Sequence, residues 1–232
     1  MPYYGIDIYY IVLVLPAVAL ALFAQFHVKS TFAAYSRVAS ASGLTGAEAA
    51  RMVLAANGVY GVQITAIAGD LTDHFDPRDN IIRLSEKVYA SNSAAAIGVA
   101  AHEAGHAVQY ASDYYPIRLR TAILPVCNIG SNLAMPLILL GFVLGFAGLC
   151  NLGILAFALS TLFQVVTLPV EFNASRRAMA ALTSSGRLDA GDLRAARKTL
   201  TAAALTYVAA LAVSLANLLR LYLLVNGGRR RR

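Results

Sequence analysis

The feature that most constrains the fold of this chain is an uncharged stretch that runs from residue 122 to residue 170. A helix crosses the hydrocarbon core of a bilayer with about 20 apolar residues, so this stretch is long enough to cross twice. Backbone amides and carbonyls in a bilayer must be paired within the chain, which favours helices. The stretch therefore predicts a transmembrane helical hairpin, and we place its turn near residues 150–153, where Asn151 and Gly153 interrupt the apolar run.

The composition agrees with a membrane protein that carries one modest polar module. Hydrophobic residues make up 58% of the 232 residues, charged residues only 13%, and the mean hydropathy is +0.61. A soluble domain has about 25% charged residues, so the low charge excludes a disordered chain and an ordinary cytosolic enzyme. Cys127 and Cys150 lie in apolar segments without metal-site spacing, so we expect buried free thiols and no disulfide scaffold.

Two further apolar runs predict additional spans. Residues 8–26 are uncharged and no Lys or Arg precedes them, so they predict an anchor over 1–26 and not a cleaved signal peptide with a basic n-region. Residues 200–219 are uncharged and end at Arg220, which predicts a C-terminal span over 200–226. We therefore expect a mainly α membrane protein with about four transmembrane helices and a small α+β module.

The domain organisation predicted from these runs has six segments. They are the anchor over 1–26, the polar module over 27–121, the hairpin over 122–170, a helix and basic loop over 171–199, the C-terminal helix over 200–226 and a basic tail over 227–232.

The orientation follows from the Lys and Arg residues near the ends of the spans. With four spans, ten of these residues fall on one side and only the four arginines of the tail, Arg229 to Arg232, fall on the other. The ten are Lys29, Arg37, Arg118, Arg120, Arg176, Arg177, Arg187, Arg194, Arg197 and Lys198. The positive-inside rule therefore predicts that residues 27–121 are cytoplasmic. The tail opposes this prediction unless residues 200–226 lie along the interface.

The polar module has recognisable helix signals. Thr45 and Glu48 have the spacing of a capping box, which predicts a helix to about Asn57 with Gly58 as its stop. Serines at 91 and 93 predict the cap of a second helix over about 93–110.

Two short strands are predicted between these helices, over 61–65 and 80–84. Residues 76–80 have turn chemistry. Either strand could pair with an extended peptide, depending on which sheet edge is free.

The second helix contains the motif His102-Glu103-Ala104-Gly105-His106. Histidines four residues apart lie on one helix face, so both imidazoles can bind one Zn²⁺ while Glu103 takes a proton from the metal-bound water. Chance also produces this pattern, but apolar residues surround it here, where unpaired imidazoles would be costly. Gly105 weakens the helix by about 1 kcal/mol relative to Ala, which suggests that another backbone passes close to it.

A catalytic zinc needs a third protein ligand, and no histidine follows His106. Among the carboxylates we favour Glu171, which follows the uncharged stretch, because an ionisable group at such a depth is usually functional. Ser175 lies one turn further and can support a metal ligand by a hydrogen bond. The alternative is that Glu171 is an interfacial ion-pair partner of Arg176 or Arg177.

His74 has several possible roles. It lies among Asp73, Asp76 and Asp79, whose spacing lacks the Gly and Glu of a calcium loop. His74 could stabilise an oxyanion, contact substrate or be a polar turn residue.

Four segments carry a resemblance to a known family. They are Asp73-His74-Phe75-Asp76-Pro77-Arg78, residues 95–109, Tyr115-Pro116-Ile117-Arg118 and Leu168-Pro169-Val170-Glu171-Phe172-Asn173-Ala174-Ser175-Arg176-Arg177. Over residues 1–225 the chain resembles the bacterial neutral zinc metallopeptidases of the YugP type. The resemblance implies a gluzincin of the bacterial inner membrane, in which His102, His106 and Glu171 bind zinc and Glu103 is the base.

A more distant resemblance is to the heat-shock and prenyl-protein membrane peptidases, whose second motif is Glu-x-x-x-Asp. Ser175 stands at the position of that Asp. The later histidine of those relatives has no counterpart here, which leaves His74, an Arg such as Arg176 or a Tyr as candidates for contacting substrate.

These features predict a membrane-anchored zinc endopeptidase with a zincin-like module. Zn²⁺ lowers the pKa of its bound water to about 7 and polarises the scissile carbonyl, while Glu103 moves a proton from the water to the leaving amine. The expected partners are a protein or peptide substrate and the lipid bilayer. Nucleic acid is not expected, since aromatic and basic residues are not interleaved.

Two alternatives stay open at this point. One is a site-2-type intramembrane protease, although only residues 94–101 are continuously apolar before His102. The other is a catalytically silent membrane adaptor or chaperone that keeps zinc for structure.

Overall fold

The apolar runs of the sequence form long helices. The computed structural model describes residues 7–70 and 72–227. Its elements in chain order are a π-helical turn (Tyr10–Val14), α1 (Leu15–Tyr35), α2 (Gly46–Ala56), β1 (Gln63–Ile67), β2 (His74–Asp76), β3 (Ile81–Ser85), α3 (Glu86–Tyr89), α4 (Ala94–Ala111), α5 (Tyr115–Val143), α6 (Ala147–Ser184) and α7 (Ala190–Gly227).

Four of the described helices are long and apolar enough to cross a membrane, judged by length and composition. They are α1 together with the π-helical turn, α5, α6 and α7. The prediction of a mainly α membrane protein with about four spans and a small α+β module is confirmed. Helix α4, which carries the His pair, is not one of the four, so the structure does not support an intramembrane protease with its motif in a span. Residues 228–232 of the basic tail lie outside the described residues.

The hairpin turns at residues 144–146, between α5 and α6, and the predicted turn at 150–153 is wrong. Gly145 has a φ of +63°, a conformation that glycine adopts without strain. The amide of Phe146 then donates to the carbonyl of Gly141 over 2.9 Å, which closes the end of α5.

Gly153, in the predicted turn, instead lies inside α6 and serves helix packing. A Cβ on Gly153 would lie 2.8 Å from the carbonyl oxygen of Ala134 and 2.6 Å from the side chain of Ile138. The glycine therefore permits α5 and α6 to approach each other closely, a role that its turn propensity does not reveal.

Helices α6 and α7 both extend beyond the predicted spans. α6 continues through residue 171 to Ser184, and α7 begins at Ala190 and not near residue 200. The segment predicted over 171–199 is thus the end of one long helix, a short connection and the start of another.

Contacts divide the chain into two units. The first contains the described parts of Met1–Gln25, Leu119–Leu168 and Thr206–Arg232. Within it Thr161 and Ser214 share a hydrogen bond of 2.8 Å between α6 and α7, and Arg220 donates through Nε to Asp7 over 2.8 Å.

Both cysteines of this first unit are buried and free, as predicted. The thiol of Cys127 donates to the carbonyl of Leu159 over 3.3 Å. Many large apolar side chains of this unit are exposed, among them Val126, Ile129, Val143 and Leu155. A bilayer is the solvent that suits such a surface.

The second unit contains Phe26–Arg118 and Pro169–Leu205. Its helix α2 begins with the predicted capping box, in which Thr45 Oγ accepts from the amide of Glu48 and Glu48 accepts from the amide of Thr45. Gly58 follows α2 with a φ of +67°, as expected for a helix stop.

The sheet of this unit has the order β1-β3-β2, in which β1 is parallel and β2 is antiparallel to β3. β3 is therefore the central strand, so it cannot accept an added peptide strand. β2 was missed by sequence reasoning because it has only three residues and lies next to the turn at Pro77–Asn80. Its outer edge has no paired strand among the described residues.

Helix α4 lies at the centre of the second unit and is buried along most of its length. Ser93 begins it by accepting a hydrogen bond from the amide of Ala96 over 3.2 Å. Two glycines let neighbouring backbones approach. A Cβ on Gly105 would lie 2.5 Å from the carbonyl oxygen of Ala174 in α6, and one on Gly98 would lie 3.3 Å from the Cα of Ala196 in α7.

We expect Gly105→Ala to destabilise the protein, because the new Cβ would collide with a backbone carbonyl that cannot rotate away. Overpacking of this kind costs about 1–3 kcal/mol, more than the roughly 1 kcal/mol gained from helix propensity. Thermal unfolding of the detergent-purified protein measures the effect. Gly98→Ala is the matched control, since the nearest atom to its new Cβ is 3.3 Å away and needs to shift by only a few tenths of an ångström. Equal unfolding midpoints for both variants would contradict the prediction.

Candidate metal centre

The site begins with two histidines one turn apart on α4. The rings of His102 and His106 have centroids 4.7 Å apart and stand nearly perpendicular, at 81°. His106 is buried, and His102 is partly exposed. The helix thus presents two imidazoles on one face, as the motif predicts.

Helix α6 brings Glu171 against this pair. Oε2 of Glu171 lies 3.2 Å from Nε2 of His102 and 3.5 Å from Nε2 of His106. Glu171 is only 2% exposed, and a carboxylate so deeply buried requires positive partners or hydrogen bonds. The close crossing at Gly105 and Ala174 places it there, because Glu171 lies one turn before Ala174 on the same helix.

The three side chains fit a zinc ion by their chemistry and spacing. One ligand atom from each residue lies within 4.8 Å of the others. A tetrahedral ion with ligands about 2.0–2.1 Å away separates any two ligand atoms by about 3.3 Å, close to the distances from Glu171 to both imidazoles. Two imidazole nitrogens and one carboxylate oxygen also form a common catalytic zinc set with an open position.

A chain of hydrogen bonds determines which nitrogen of His106 carries its proton. Arg177 can only donate, and its Nε donates to Oδ1 of Asn173 over 2.8 Å. That oxygen also accepts from Nε2 of Gln109 over 3.0 Å, and Nε2 donates to the carbonyl of Val170 over 2.8 Å. Oε1 of Gln109 is therefore free to accept from Nδ1 of His106, 3.0 Å away.

This chain leaves Nε2 of His106 with its lone pair directed to the side where Glu171 lies. A metal-binding histidine usually has its other nitrogen held by such an acceptor. Burial of the ring opposes its protonation, but the carboxylates of Glu171 and Glu103 raise the pKa of His106 above its ordinary value. The same negative charge attracts a divalent cation to this position.

Ser175 supports the other histidine. Its Oγ lies 3.1 Å from Nδ1 of His102, and it lies on α6 one turn beyond Glu171. Because a hydroxyl can donate or accept, this contact orients the ring without selecting its tautomer. The structure thus brings Ser175 to the place that the sequence suggested.

Glu103 lies between α4 and the sheet. Its Oε2 accepts a hydrogen bond of 3.1 Å from the backbone amide of Phe75 in β2. The ring of Phe75 packs against Tyr110 with centroids 5.6 Å apart. One carboxylate oxygen is therefore held by the edge strand, next to the His pair in sequence and in space.

His74 does not join the metal cluster. Among the described residues the cluster contains only His102, His106 and Glu171, and Nδ1 of His74 donates to the carbonyl of Thr72 over 2.7 Å. Asp73 beside it accepts from the amide of Ser85 over 2.7 Å, and burial raises the pKa of the Asp73 carboxyl despite this hydrogen bond. His74 stays a prediction for substrate contact, at the start of β2.

The arginines near Glu171 do not pair with it. Arg177 donates to Asn173 and lies over the ring of Tyr114, with Cζ 5.7 Å from the centroid. Arg176 is exposed and has no hydrogen bond or ion pair with any residue of the described chain. The alternative of an interfacial Glu171–arginine pair is therefore not what the structure shows.

Sequence reasoning missed Gln109, Asn173 and Arg177 as a connected group. The available signal was the position of Gln109, three residues after His106 on a helix whose neighbouring positions are apolar. A fully buried amide there needs partners for both of its ends. Those partners lie on α6, which only the tertiary structure shows.

Comparisons with known proteins agree with this geometry. Residues 10–226 match the model of a protein family described as "Putative neutral zinc metallopeptidase". The chain is 47% identical over 220 residues to "Putative membrane protease YugP" of Bacillus subtilis (strain 168), an alignment that covers 95% of this chain and 98% of the relative. No solved structure matches the chain.

The family model covers most of the chain, including both helices that carry the metal cluster, and the bacterial relative aligns over nearly its whole length. The chain therefore belongs to the family described as "Putative neutral zinc metallopeptidase".

Proposed function

We propose that this protein is a membrane-anchored zinc endopeptidase that binds its metal through His102, His106 and Glu171 and uses Glu103 as general base. The observation that carries the proposal is the convergence of three ligand atoms, from two different helices, within 4.8 Å. Membership in a metallopeptidase family agrees with it.

Zn²⁺ bound by these three residues supplies a Lewis acid that lowers the pKa of water to about 7 and polarises a peptide carbonyl. The protein orients the ligands through Gln109 and Ser175, which hold the outer nitrogens of the two imidazoles. Because the amide of Phe75 binds Oε2 of Glu103, Oε1 is left to take a proton from the attacking water. The same oxygen then returns the proton to the leaving amine.

The outer edge of β2 suits an extended peptide. β2 is antiparallel to the central strand, and the amide of Phe75 in the middle of β2 reaches Glu103. A peptide added along this edge would pass directly beside the proposed base. Because the amide of Phe75 already donates to Glu103, pairing along this short edge would use the carbonyl of Phe75 to accept from a peptide amide.

The prediction that the site faces the cytoplasm belongs to this proposal. It rests on the excess of Lys and Arg in residues 27–121 and 171–199 over the four arginines of the tail. In sealed right-side-out vesicles, the segment before α5 should resist an added protease, and inverted vesicles should expose it. Cleavage in the right-side-out vesicles would contradict the orientation.

The two glutamates of the site should respond differently to substitution. Glu103→Gln keeps the ligands, so the variant should bind zinc as the wild type does and lose at least about 100-fold in the rate of casein cleavage. Glu171→Ala removes a ligand, so the variant should lose zinc as well as activity. Metal content by mass spectrometry and cleavage of a quenched-fluorescent casein measure both effects on purified protein.

Glu86→Ala is the control for these variants, since Glu86 begins α3 and lies outside the cluster. Casein cleavage by the Glu103→Gln variant at the rate of the wild-type enzyme would end the assignment of Glu103 as the base. Unchanged zinc content in Glu171→Ala would end the assignment of the third ligand.

Gln109 should matter for metal affinity although it is not itself one of the three proposed metal ligands. Gln109→Leu leaves Nδ1 of His106 without its acceptor, and such losses weaken metal binding by about 10–100-fold. Chelator competition measures the zinc affinity. Gln63→Leu on the exposed part of β1 is the matched control, and equal affinities for both variants would show that Gln109 does not position His106.

A further inference from the structure

A groove lies between α6 and α7 within the second unit. It has a volume of about 740 Å³ and a largely apolar lining that includes Phe172, Met179 and Leu200. Polar side chains also line it, among them Arg176 from α6 and Arg197 and Thr201 from α7. The groove therefore combines an apolar floor with positive charge on both walls.

The two guanidinium groups of the groove are not neutralised by the protein. Arg176 and Arg197 are both exposed, and within the described chain neither has an ion pair, a hydrogen bond or an aromatic ring as partner. None of the described residues that line the groove is acidic. Two uncompensated cations facing one cavity favour an anionic occupant.

The position of these arginines in the sequence indicates the depth of the groove in a bilayer. On α6, Arg176 and Arg177 are the first basic residues after the uncharged stretch that ends at residue 170. On α7, Arg197 and Lys198 are the last charged residues before the uncharged run over 199–219. Basic residues at such boundaries lie at the level of the lipid headgroups.

We propose that this groove is a binding site for one anionic phospholipid, whose phosphate lies between Arg176 and Arg197. The glycerol and the first carbons of the acyl chains then contact the apolar floor at Phe172 and Leu200, which lie on the side of the uncharged runs. Thr201 adds a hydroxyl donor on the wall of α7. Guanidinium groups suit this task because their planar donors bind phosphate oxygens in pairs.

The apolar floor favours a lipid over a soluble phosphate, because inorganic phosphate leaves that surface in contact with water. It also favours a lipid over an acidic peptide, since the groove opens next to uncharged transmembrane sequence on both helices. The proposal does not depend on the peptidase assignment, because its test measures lipid and not activity.

Native mass spectrometry of the full chain in a non-ionic detergent tests the proposal, with dioleoylphosphatidylglycerol and dioleoylphosphatidylcholine as the added lipids. The wild type should retain one phosphatidylglycerol more tightly than phosphatidylcholine. The double variant R176Q/R197Q should bind phosphatidylglycerol about 30-fold more weakly, since each cation near the headgroup contributes about fivefold. R176K/R197K should recover part of this binding, because charge is restored without the planar donors.

R51Q/R194Q is the matched control, because it removes the same charge from two exposed arginines outside the groove. Equal losses in both double variants, or equal retention of the two lipids by the wild type, would overturn the proposal. Displacement of the retained phosphatidylglycerol by inorganic phosphate or by a poly-glutamate peptide would overturn it in favour of those ligands. Thermal unfolding midpoints confirm that the variants are folded, and the single substitutions replace the double variant if its midpoint falls.

Discussion

The metal cluster depends on the close crossing of α4 and α6. A carbonyl of α6 occupies the space in which any side chain at residue 105 would have its Cβ, 2.5 Å away. At this crossing Oε2 of Glu171 lies 3.2 Å from Nε2 of His102 and 3.5 Å from Nε2 of His106. The glycine weakens the helix locally, and that cost accompanies the approach of Glu171.

Burial of a carboxylate with two imidazoles would be unfavourable without partners for every polar atom. The structure supplies them through Ser175 of α6 for His102 and through Gln109 of α4 for His106, and Asn173 and Arg177 of α6 hold Gln109 in turn. Arg177 can only donate, so it fixes the orientation of the Asn173 amide, which fixes that of Gln109. Gln109 in turn fixes the orientation of the His106 ring. The polar network therefore holds the side chains of the proposed metal ligands in place, which would reduce the entropy lost on binding a metal.

Charge is scarce in this chain, and its placement separates two kinds of surface. The acidic groups Glu103 and Glu171 lie at the cluster, where they attract a cation, while Arg176 and Arg197 lie on a groove beside the uncharged runs, where they suit a phosphate. Arg176 and Glu171 are five residues apart on α6 and yet do not pair. Helix geometry explains this, because the two side chains leave α6 on different faces.

The sequence by itself determined the local features of this protein. The His-Glu-x-x-His spacing, the capping box at Thr45 and the stop at Gly58 depend on nearest neighbours and helical period, and the number of spans depends on the apolar runs, so each of these appears in the structure as predicted. Only the tertiary structure decided what lies opposite these elements. In the tertiary structure the hairpin turns at Gly145, and β2 is the edge strand beside Glu103. Gln109 forms a hydrogen bond with Asn173. Those contacts join residues far apart in sequence, where periodicity carries no information about which face meets which.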